Sequence, residues 1–262
     1  FARGTRMNLA LRFLGVGNAQ AVALGSACAV IERDDSPLLM IDCGPDALTA
    51  FLERYQSAPS ALFLTHAHMD HVGGLERLFF KTWFDGERRG KLRVYAHAAL
   101  IPVLQSRVAD YPEVLAEGGA NFWDAFQLIP LSRGFWHEGL WFDVFPTRHH
   151  APMTSFGLAL RGSVVWTGDT RPIPEALSAV AAAGELVAHD CVLHGNPSHS
   201  GVDDIEREYP AALRERLVLY HYGSPEEADA LRGRGYRVAE RGEGIALANP
   251  HAEAVLASRS CG

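Results

Sequence analysis

The chain has 262 residues, of which 48% are hydrophobic and 21% charged, and this composition excludes a disordered or fibrous protein. Its formal net charge of -7 argues against a surface built for polyanions, because nonspecific nucleic-acid binding depends on Lys and Arg. Four scattered cysteines without C-x-x-C spacing indicate reduced thiols in a cytoplasmic protein, not a disulfide framework or a thiolate metal site.

The segment MNLALRFLGVGNAQA, starting at Met7, has the apolar and small residues of a signal peptide, but Arg12 interrupts it. Its alternating pattern predicts a first strand near 8–14. Residues 1–6 are interpreted as an upstream extension or an artificial remnant, 7–250 as one domain and 251–262 as a C-terminal tail. No apolar run reaches the length of a membrane span, so none is predicted.

Strands and helices then alternate along the chain. Periodicity predicts strands at 26–33 and 37–42, a helix at 45–55, a strand at 60–65, a helix from Val72, a strand at 91–96, a helix over 99–111, strands at 126–131, 140–147, 156–160 and 163–168, a helix at 173–183, a strand at 185–190, a short helix, a strand at 216–221 and a helix from Pro225. Each half thus gives mostly antiparallel strands followed by helices. We expect an α/β (α+β) fold, a four-layered αββα sandwich of two mostly antiparallel sheets with helices outside.

A polar cluster follows one of these strands in the stretch LFLTHAHMDHVGG, residues 62–74. His66, His68, Asp70 and His71 occupy six consecutive positions, a pattern expected by chance in about one sequence in a thousand of this composition. Imidazole and carboxylate groups suit Zn²⁺, with Mn or Fe as alternatives. The two histidines of the extended turn can converge on one ion, whereas the aspartate and histidine that begin the helix can serve a second.

The motif T-H-A-H-M-D-H resembles the H-x-H-x-D-H signature of the metallo-β-lactamase-fold hydrolases, and the resemblance extends from Leu9 to about Leu247. It implies the αββα sandwich and two divalent metal ions whose other ligands follow later strands. Asp169 in TGDT matches the aspartate that bridges both ions, and His221 matches the last histidine. In FDVFPTRHH, His149 aligns better than His150, which is the alternative.

The resemblance divides the ligands into two sets that share one aspartate. The first ion would be held by His66, His68, His149 and Asp169, and the second by Asp70, His71, Asp169 and His221. Asp42 resembles the D-x-G carboxylate that orients a ligand histidine, the alternative being a simple turn aspartate. Two ions bridged by hydroxide, the nucleophile, imply hydrolysis, and Asp70 is counted with the catalytic residues as well as the ligands.

The later stretches GDTRP, LVAHDC, PSHS and LVLYHYGS resemble, in this order, the ribonuclease Z branch. By that resemblance Asp190 and His199 form a carboxylate–imidazole pair that protonates a leaving alkoxide. The alternative is that a polar loop carries His189, His194 and His199 without a functional role for any of them. Two of the three, His189 and His194, receive no role.

The chain also departs from ribonuclease Z, because only nineteen residues separate His149 from Asp169, too few for a tRNA-gripping arm. A cyclic nucleotide or another small phosphodiester is therefore the favoured substrate, with structured RNA second. A thioesterase or lactonase of the same fold is the third hypothesis. A metal-binding sensor without turnover is the alternative that is not an enzyme. An aromatic lid that stacks on a base could be formed by Trp83, Trp123, Phe80 and Phe126. The simpler interpretation is that these four are core residues. Any of them that is exposed would suit a homodimer contact.

Overall fold

Two seven-stranded sheets lie face to face in the computed structural model, which describes residues 7–110, 115 and 119–255. One sheet contains β1 (Leu9–Gly15), β2 (Cys28–Arg33), β3 (Ser36–Ile41), β4 (Ala61–Leu64), β5 (Leu92–His97), β6 (Phe126–Leu131) and β14 (Gly244–Ala246), in the order β14-β1-β2-β3-β4-β5-β6. The other contains β7 (Gly134–His137), β8 (Leu140–Pro146), β9 (Phe156–Leu160), β10 (Val164–Trp166), β11 (Leu186–Asp190), β12 (Leu217–Tyr220) and β13 (Arg237–Val238), in the order β13-β12-β11-β10-β9-β8-β7. The predicted sandwich is confirmed.

Helices pack on the outer faces of both sheets. They are α1 (Ala47–Tyr55), α2 (Met69–Val72), α3 (Leu75–Trp83), α4 (Ile101–Leu104), α5 (Pro174–Val180), α6 (Val202–Glu208), α7 (Ala211–Arg214) and α8 (Pro225–Gly233). The helix predicted from Val72 corresponds to α3 and begins later, at Leu75, because Val72 ends α2 and the chain turns at Gly73 and Gly74. The helix predicted over 99–111 is α4 continued by a π-helical turn at Gln105–Ala109, and residue 111 lies outside the described residues.

The expectation of mostly antiparallel sheets is wrong, because each sheet is half parallel. Strands β3, β4, β5 and β6 are parallel neighbours, and so are β10, β11, β12 and β13. Helices α1 and α3 each lie between two neighbouring strands in the chain, and such a crossover returns the next strand in the same direction. Parallel strands buried on both faces are continuously apolar, as in the ALFL of β4.

Large aromatic side chains fill the space between the sheets. Phe13 of the first sheet lies 5.8 Å from the ring of Trp166 and 6.3 Å from that of Tyr220 in the second. The last two rings stack on each other at 4.1 Å. Within the described residues, no helix is long and apolar enough to cross a membrane. Residues 1–6 and 256–262 lie outside the described residues, so the predicted extension, tail and domain boundaries remain predictions.

Candidate metal centre

The predicted site residues meet at one edge of the sandwich, just past the ends of several strands. Asp42 follows β3, His66 follows β4, His149 follows β8, Asp169 follows β10, Asp190 ends β11 and His221 follows β12. Parallel strands end at the same edge of their sheet, so residues distant in sequence are brought together there. The same edge receives the turn and short helix α2 that carry the other ligands of the H-x-H-x-D-H motif.

Asp169 lies at the centre of this cluster and is buried. Its Oδ2 atom is 3.6 Å from His66 Nε2, 3.3 Å from His71 Nε2, 3.7 Å from His149 Nε2 and 3.3 Å from His221 Nε2. Four imidazole nitrogens thus point at one carboxylate oxygen from different directions. This is the arrangement expected of a carboxylate shared between two cations.

The side chains around Asp169 form two groups, each with one ligand atom per residue and all such atoms within 4.8 Å of one another. One group is His66, His68, His149 and Asp169; the other is Asp70, His71, Asp169 and His221. These are the two sets implied by the sequence. His150 belongs to neither group: it is exposed, although its ring lies 4.7 Å from that of His68. The geometry therefore favours His149 over the alternative.

A test of whether the residues fit a metal is whether their buried polar atoms are otherwise satisfied. Within the part of the chain that the structure describes, the Nε2 atoms of His66, His71 and His221 and the Oδ1 atom of Asp169 are buried without a hydrogen-bond partner. Each such atom costs about 1–3 kcal/mol unless something binds it. Divalent cations bind these atom types, so the residues fit a divalent-metal site.

Hydrogen bonds from neighbouring residues hold the candidate ligands in place. Asp42, which has a positive φ of 62°, accepts a hydrogen bond from His71 Nδ1 at 2.7 Å. It also accepts from the backbone N and the hydroxyl of Thr65, at 2.8 Å and 2.7 Å. His149 Nδ1 donates to the backbone carbonyl of Ser198 at 2.9 Å. These bonds orient the rings so that the Nε2 atoms of both histidines face the cluster. The predicted role of Asp42 is thus supported, whereas Thr65 and Ser198 were not predicted.

Proton binding at this centre is strongly perturbed in the metal-free chain. Burial raises the pKa of Asp169, but His221 and His71 lower it more, so the carboxyl pKa lies well below its usual range. Burial lowers the pKa of His221, but Asp169 and Asp190 outweigh it and raise the pKa to about 10. The pKa of His71 is likewise raised well above its ordinary value: burial lowers it, and Asp169 and Asp42 raise it more. The surrounding carboxylates therefore favour the imidazolium form of both histidines over the neutral form.

We expect metal binding to release these protons, because an imidazole must be neutral at the nitrogen that binds a cation. Near neutral pH, loading should release protons from His71 and His221, in addition to any released by the acidified water. Apparent metal affinity should consequently weaken as the pH is lowered. Calorimetric titration in two buffers of different ionisation enthalpy measures the release, and a binding heat independent of the buffer would contradict it.

Asp190 and His199, the predicted proton-donating pair, are also brought together. Asp190 Oδ2 accepts from His199 Nδ1 at 2.8 Å and from the backbone N of Thr170 at 2.8 Å. Its other oxygen, Oδ1, lies 3.3 Å from His221 Nδ1. One carboxylate therefore orients both the candidate acid and a candidate metal ligand. Burial lowers the pKa of His199, but its hydrogen bond to Asp190 outweighs this, so the pKa lies above its ordinary value.

The imidazole of His199 faces a cavity of about 360 Å³ that opens over the cluster. Its lining includes Asn18, Gln20, His68, Asp70, Asn196 and His221. Asn18 and Gln20 come from the loop after β1 and were not predicted, because nothing in their local sequence marks them as lining residues. The cavity gives a ligand access to the cluster with the candidate acid at its side.

Two other groups of residues lie away from this cavity. His189 is buried, with its Nδ1 donating to the Asp190 carbonyl at 2.6 Å and its Nε2 2.8 Å from the Tyr209 hydroxyl. His194 is exposed. The aromatic residues considered as a lid pack with the core instead: Phe126 is buried, and Phe80, Trp83 and Trp123 are partly buried against the core cluster. None of these four lines the cavity, which supports the simpler interpretation that they are core residues.

A glycine behind the cluster gives a test of how closely its parts are packed. A Cβ atom at Gly44 would lie 2.1 Å from the Asp70 carbonyl oxygen and 2.4 Å from Ser26 Cβ. Gly44→Ala should therefore displace the turn that carries Asp70, destabilising the fold by about 1–3 kcal/mol and reducing turnover about a hundredfold. Thermal unfolding and steady-state kinetics check this. Gly86→Ala, whose added atom meets nothing within 4 Å, is the matched control, and equal behaviour of the two variants would refute the expectation.

Comparison with known proteins identifies the family. The model of the family "Anti-Pycsar protein Apyc1" matches residues 9–245. The chain belongs to this family. A relative from Saccharibacillus brassicae, itself named anti-Pycsar protein Apyc1, is 31% identical over 228 residues, covering 83% of this chain and 91% of the relative. Family membership confirms the predicted class of enzyme, a metal-dependent phosphodiesterase.

Solved structures agree with this assignment at the level of fold. The metallo-β-lactamase fold protein YhfI from Bacillus subtilis superposes with a TM-score of 0.70 at 16% identity, over 91% of this chain and 99% of that one. A diphosphatase from the PhnP family also gives 0.70, at 17% identity, over 90% of this chain and 97% of its own. The resemblance to the metallo-β-lactamase-fold hydrolases is therefore confirmed.

Proposed function

We propose that the chain is a dinuclear phosphodiesterase that hydrolyses a cyclic nucleotide. The observation that carries this is the position of Asp169, whose Oδ2 lies within 3.7 Å of the Nε2 atoms of four histidines divided between two ligand groups. A carboxylate that belongs to both ligand groups favours a site for two ions and not a site for one. Nitrogen and carboxylate donors favour Zn²⁺, with Mn or Fe as alternatives. The seven proposed ligands are His66, His68, Asp70, His71, His149, Asp169 and His221.

Bound at these residues, two divalent cations supply Lewis acidity toward a phosphoryl oxygen and an acidified water. The protein's own side chains supply the remaining functions. His199 donates a proton from Nε2 to the departing ribose oxygen, because its Nδ1 is held by Asp190 and its pKa is raised. Asp190 positions this imidazole and, through its second oxygen, that of His221. Asp42 holds His71 so that its Nε2 faces the cluster.

Four features support a cyclic nucleotide over RNA. The cavity of about 360 Å³ is near the lower end of the roughly 300–1,000 Å³ range of small-molecule sites. Between His149 and Asp169 the chain forms only β9, β10 and their connections, so no arm for RNA extends from this segment. The chain's net charge of -7 also disfavours a polyanion. The family to which the chain belongs is one of cyclic nucleotide phosphodiesterases.

The test is turnover of a panel by protein loaded with Zn²⁺ or Mn²⁺: cyclic mononucleotides, a linear dinucleotide, a structured RNA, a thioester and a lactone. We expect the cyclic mononucleotides to have the highest kcat/KM and their hydrolysis to be lost on His66→Ala. Preferred cleavage of RNA would support the ribonuclease alternative. Cleavage of the thioester or lactone alone would overturn the phosphodiesterase assignment, and binding of metal without any turnover would indicate a sensor.

Two further predictions accompany this function. Cys28, Cys43 and Cys191 are free and buried among the described residues, which supports the predicted cytoplasmic location. The predicted homodimer remains a prediction, and sedimentation of the metal-loaded protein tests it.

A further inference from the structure

A second cavity lies at the opposite end of the sheet from the metal centre. It has a volume of about 390 Å³ and is lined by Trp136, Trp141, Arg161, His251, Glu253 and Ala254. The metal-side residues follow the end of β8, whereas Trp141 lies near its start, six residues before Thr147. At about 3.3 Å per residue, roughly 20 Å separate the two sites. No residue of this cavity belongs to the proposed phosphodiesterase machinery.

Two glycines build the walls of this cavity by allowing close approach. A Cβ at Gly134 would lie 2.6 Å from the Trp141 ring, so the indole rests on bare backbone. A Cβ at Gly162, which has a positive φ of 79°, would lie 2.3 Å from the His251 ring. The backbone N of His251 donates to the Arg161 carbonyl at 2.9 Å, which ties the C-terminal segment to the sheet. The walls are therefore positioned by backbone packing before any ligand binds.

The aromatic part of the lining suits a flat ligand. Trp136 is 43% exposed, and its ring centroid lies 5.5 Å from that of Trp141 at an interplanar angle of 61°. These rings meet edge to face, so an indole face of Trp136 is left uncovered by its neighbour. Any of the nucleobases can stack on such a face, because every base has a π-face.

One charged residue of the lining, Arg161, can bind an anion through the terminal nitrogens that its ion pair with Asp143 leaves free. Asp143 accepts from Trp141 Nε1 at 3.1 Å and from Arg161 Nε at 2.6 Å, so it fixes both side chains. The Arg161 side chain remains 48% exposed, and its terminal nitrogens have no hydrogen-bond partner among the described residues. An adjoining cavity of about 520 Å³ shares Trp141 and Arg161 and adds Arg133. Arg161 therefore lines the cavity with both indoles, Arg133 lines the adjoining one, and guanidinium binds phosphate through paired N–H donors.

From this juxtaposition we propose a second, non-catalytic binding site for a nucleoside monophosphate. The base stacks on Trp136, and Glu253 lies on the same wall, where its carboxylate accepts from a base amino group. The phosphate contacts Arg161 on the side of Arg133. The site lies at the far end of the sheet and does not depend on the metal centre, so it can fail without affecting the proposed function.

Calorimetric titration of adenosine monophosphate tests this site in the full chain and in an Asp169→Ala background, which removes the shared metal ligand. We expect binding to persist in that background and to weaken about tenfold on adding Trp136→Ala, because the stacking face is lost. Arg161→Gln should weaken the monophosphate but leave adenosine unchanged. Trp136→Phe, which keeps a smaller ring, should retain part of the affinity.

Two outcomes would overturn the proposal. One is absence of binding in the Asp169→Ala background, which would place all nucleotide binding at the metal centre. The other is affinity that Trp136→Ala and Arg161→Gln both leave unchanged. Because Trp136 is exposed and is not among the residues packed against the core, its replacement should not unfold the chain, and thermal unfolding of each variant checks this.

Discussion

Replacing Asp169 by alanine should severely weaken both metal retention and turnover. Its carboxylate faces His66, His71, His149 and His221, so the substitution removes the one anionic group common to both ligand groups. Truncating a residue that only supports a ligand typically costs 10–100-fold, so loss of this shared ligand should lower kcat/KM by about a thousandfold or more. Elemental analysis after dialysis should show fewer than two ions per chain, and cyclic-nucleotide hydrolysis should fall in parallel.

Asp169→Asn sharpens the test, because it keeps the side-chain shape and removes only the charge. If the carboxylate is shared by two cations, the amide should also lose metal. Asp229→Asn, an exposed change on α8, is the matched control and should behave as the unmodified chain. Retention of two ions and full turnover by Asp169→Ala would show that the bridge is not needed. Thermal unfolding with and without added Zn²⁺ separates loss of metal from loss of fold.

The sequence predicts much of this centre because metal ligands follow strands in a fixed order. His66, His68, Asp70 and His71 stand together in one short stretch, so their proximity needs no knowledge of the fold. The prediction of Asp169 and His221 rests on the resemblance to the metallo-β-lactamase-fold hydrolases, whose later ligands each follow a strand. The choice between His149 and His150 was harder, since neighbours on an extended segment differ only in which way they point. The observed backbone directs His149 to Asp169 and leaves His150 exposed.

Other features depend on long-range packing that local patterns do not carry. Apolar runs such as the ALFL of β4 predict a strand without its direction, so the half-parallel pairing was missed. The close approach of Gly44 to Asp70 depends on how α2 packs against the turn after β3. No hydrophobic periodicity in the sequence predicts this packing. The spacing of the aromatic residues in α3 predicts an amphipathic helix but does not say what its apolar face contacts. Only the fold shows that this face packs against the core and not against a ligand.

Replacing His199 by alanine should slow turnover by an amount that depends on the leaving group. The ribose oxygen of a cyclic nucleotide is a poor leaving group, so loss of a general acid should cost about 10²–10⁴-fold in kcat. Bis(p-nitrophenyl) phosphate releases a stabilised phenolate that needs no proton, and its hydrolysis should change by less than about tenfold. Steady-state kinetics of the metal-saturated variant on both substrates measures this difference.

The pH profile distinguishes proton donation from a purely structural role of His199. Asp190 raises the pKa of His199, so the protonated donor is present below that raised pKa and is lost as the pH rises through it. The unmodified chain should therefore lose cyclic-nucleotide turnover on the alkaline side, and His199→Ala should lack that limb. His194→Ala, an exposed histidine of the same loop, is the matched control. An equal loss on both substrates with an unchanged pH profile would mean that His199 supports the site without donating a proton, because a displaced loop would affect every leaving group alike.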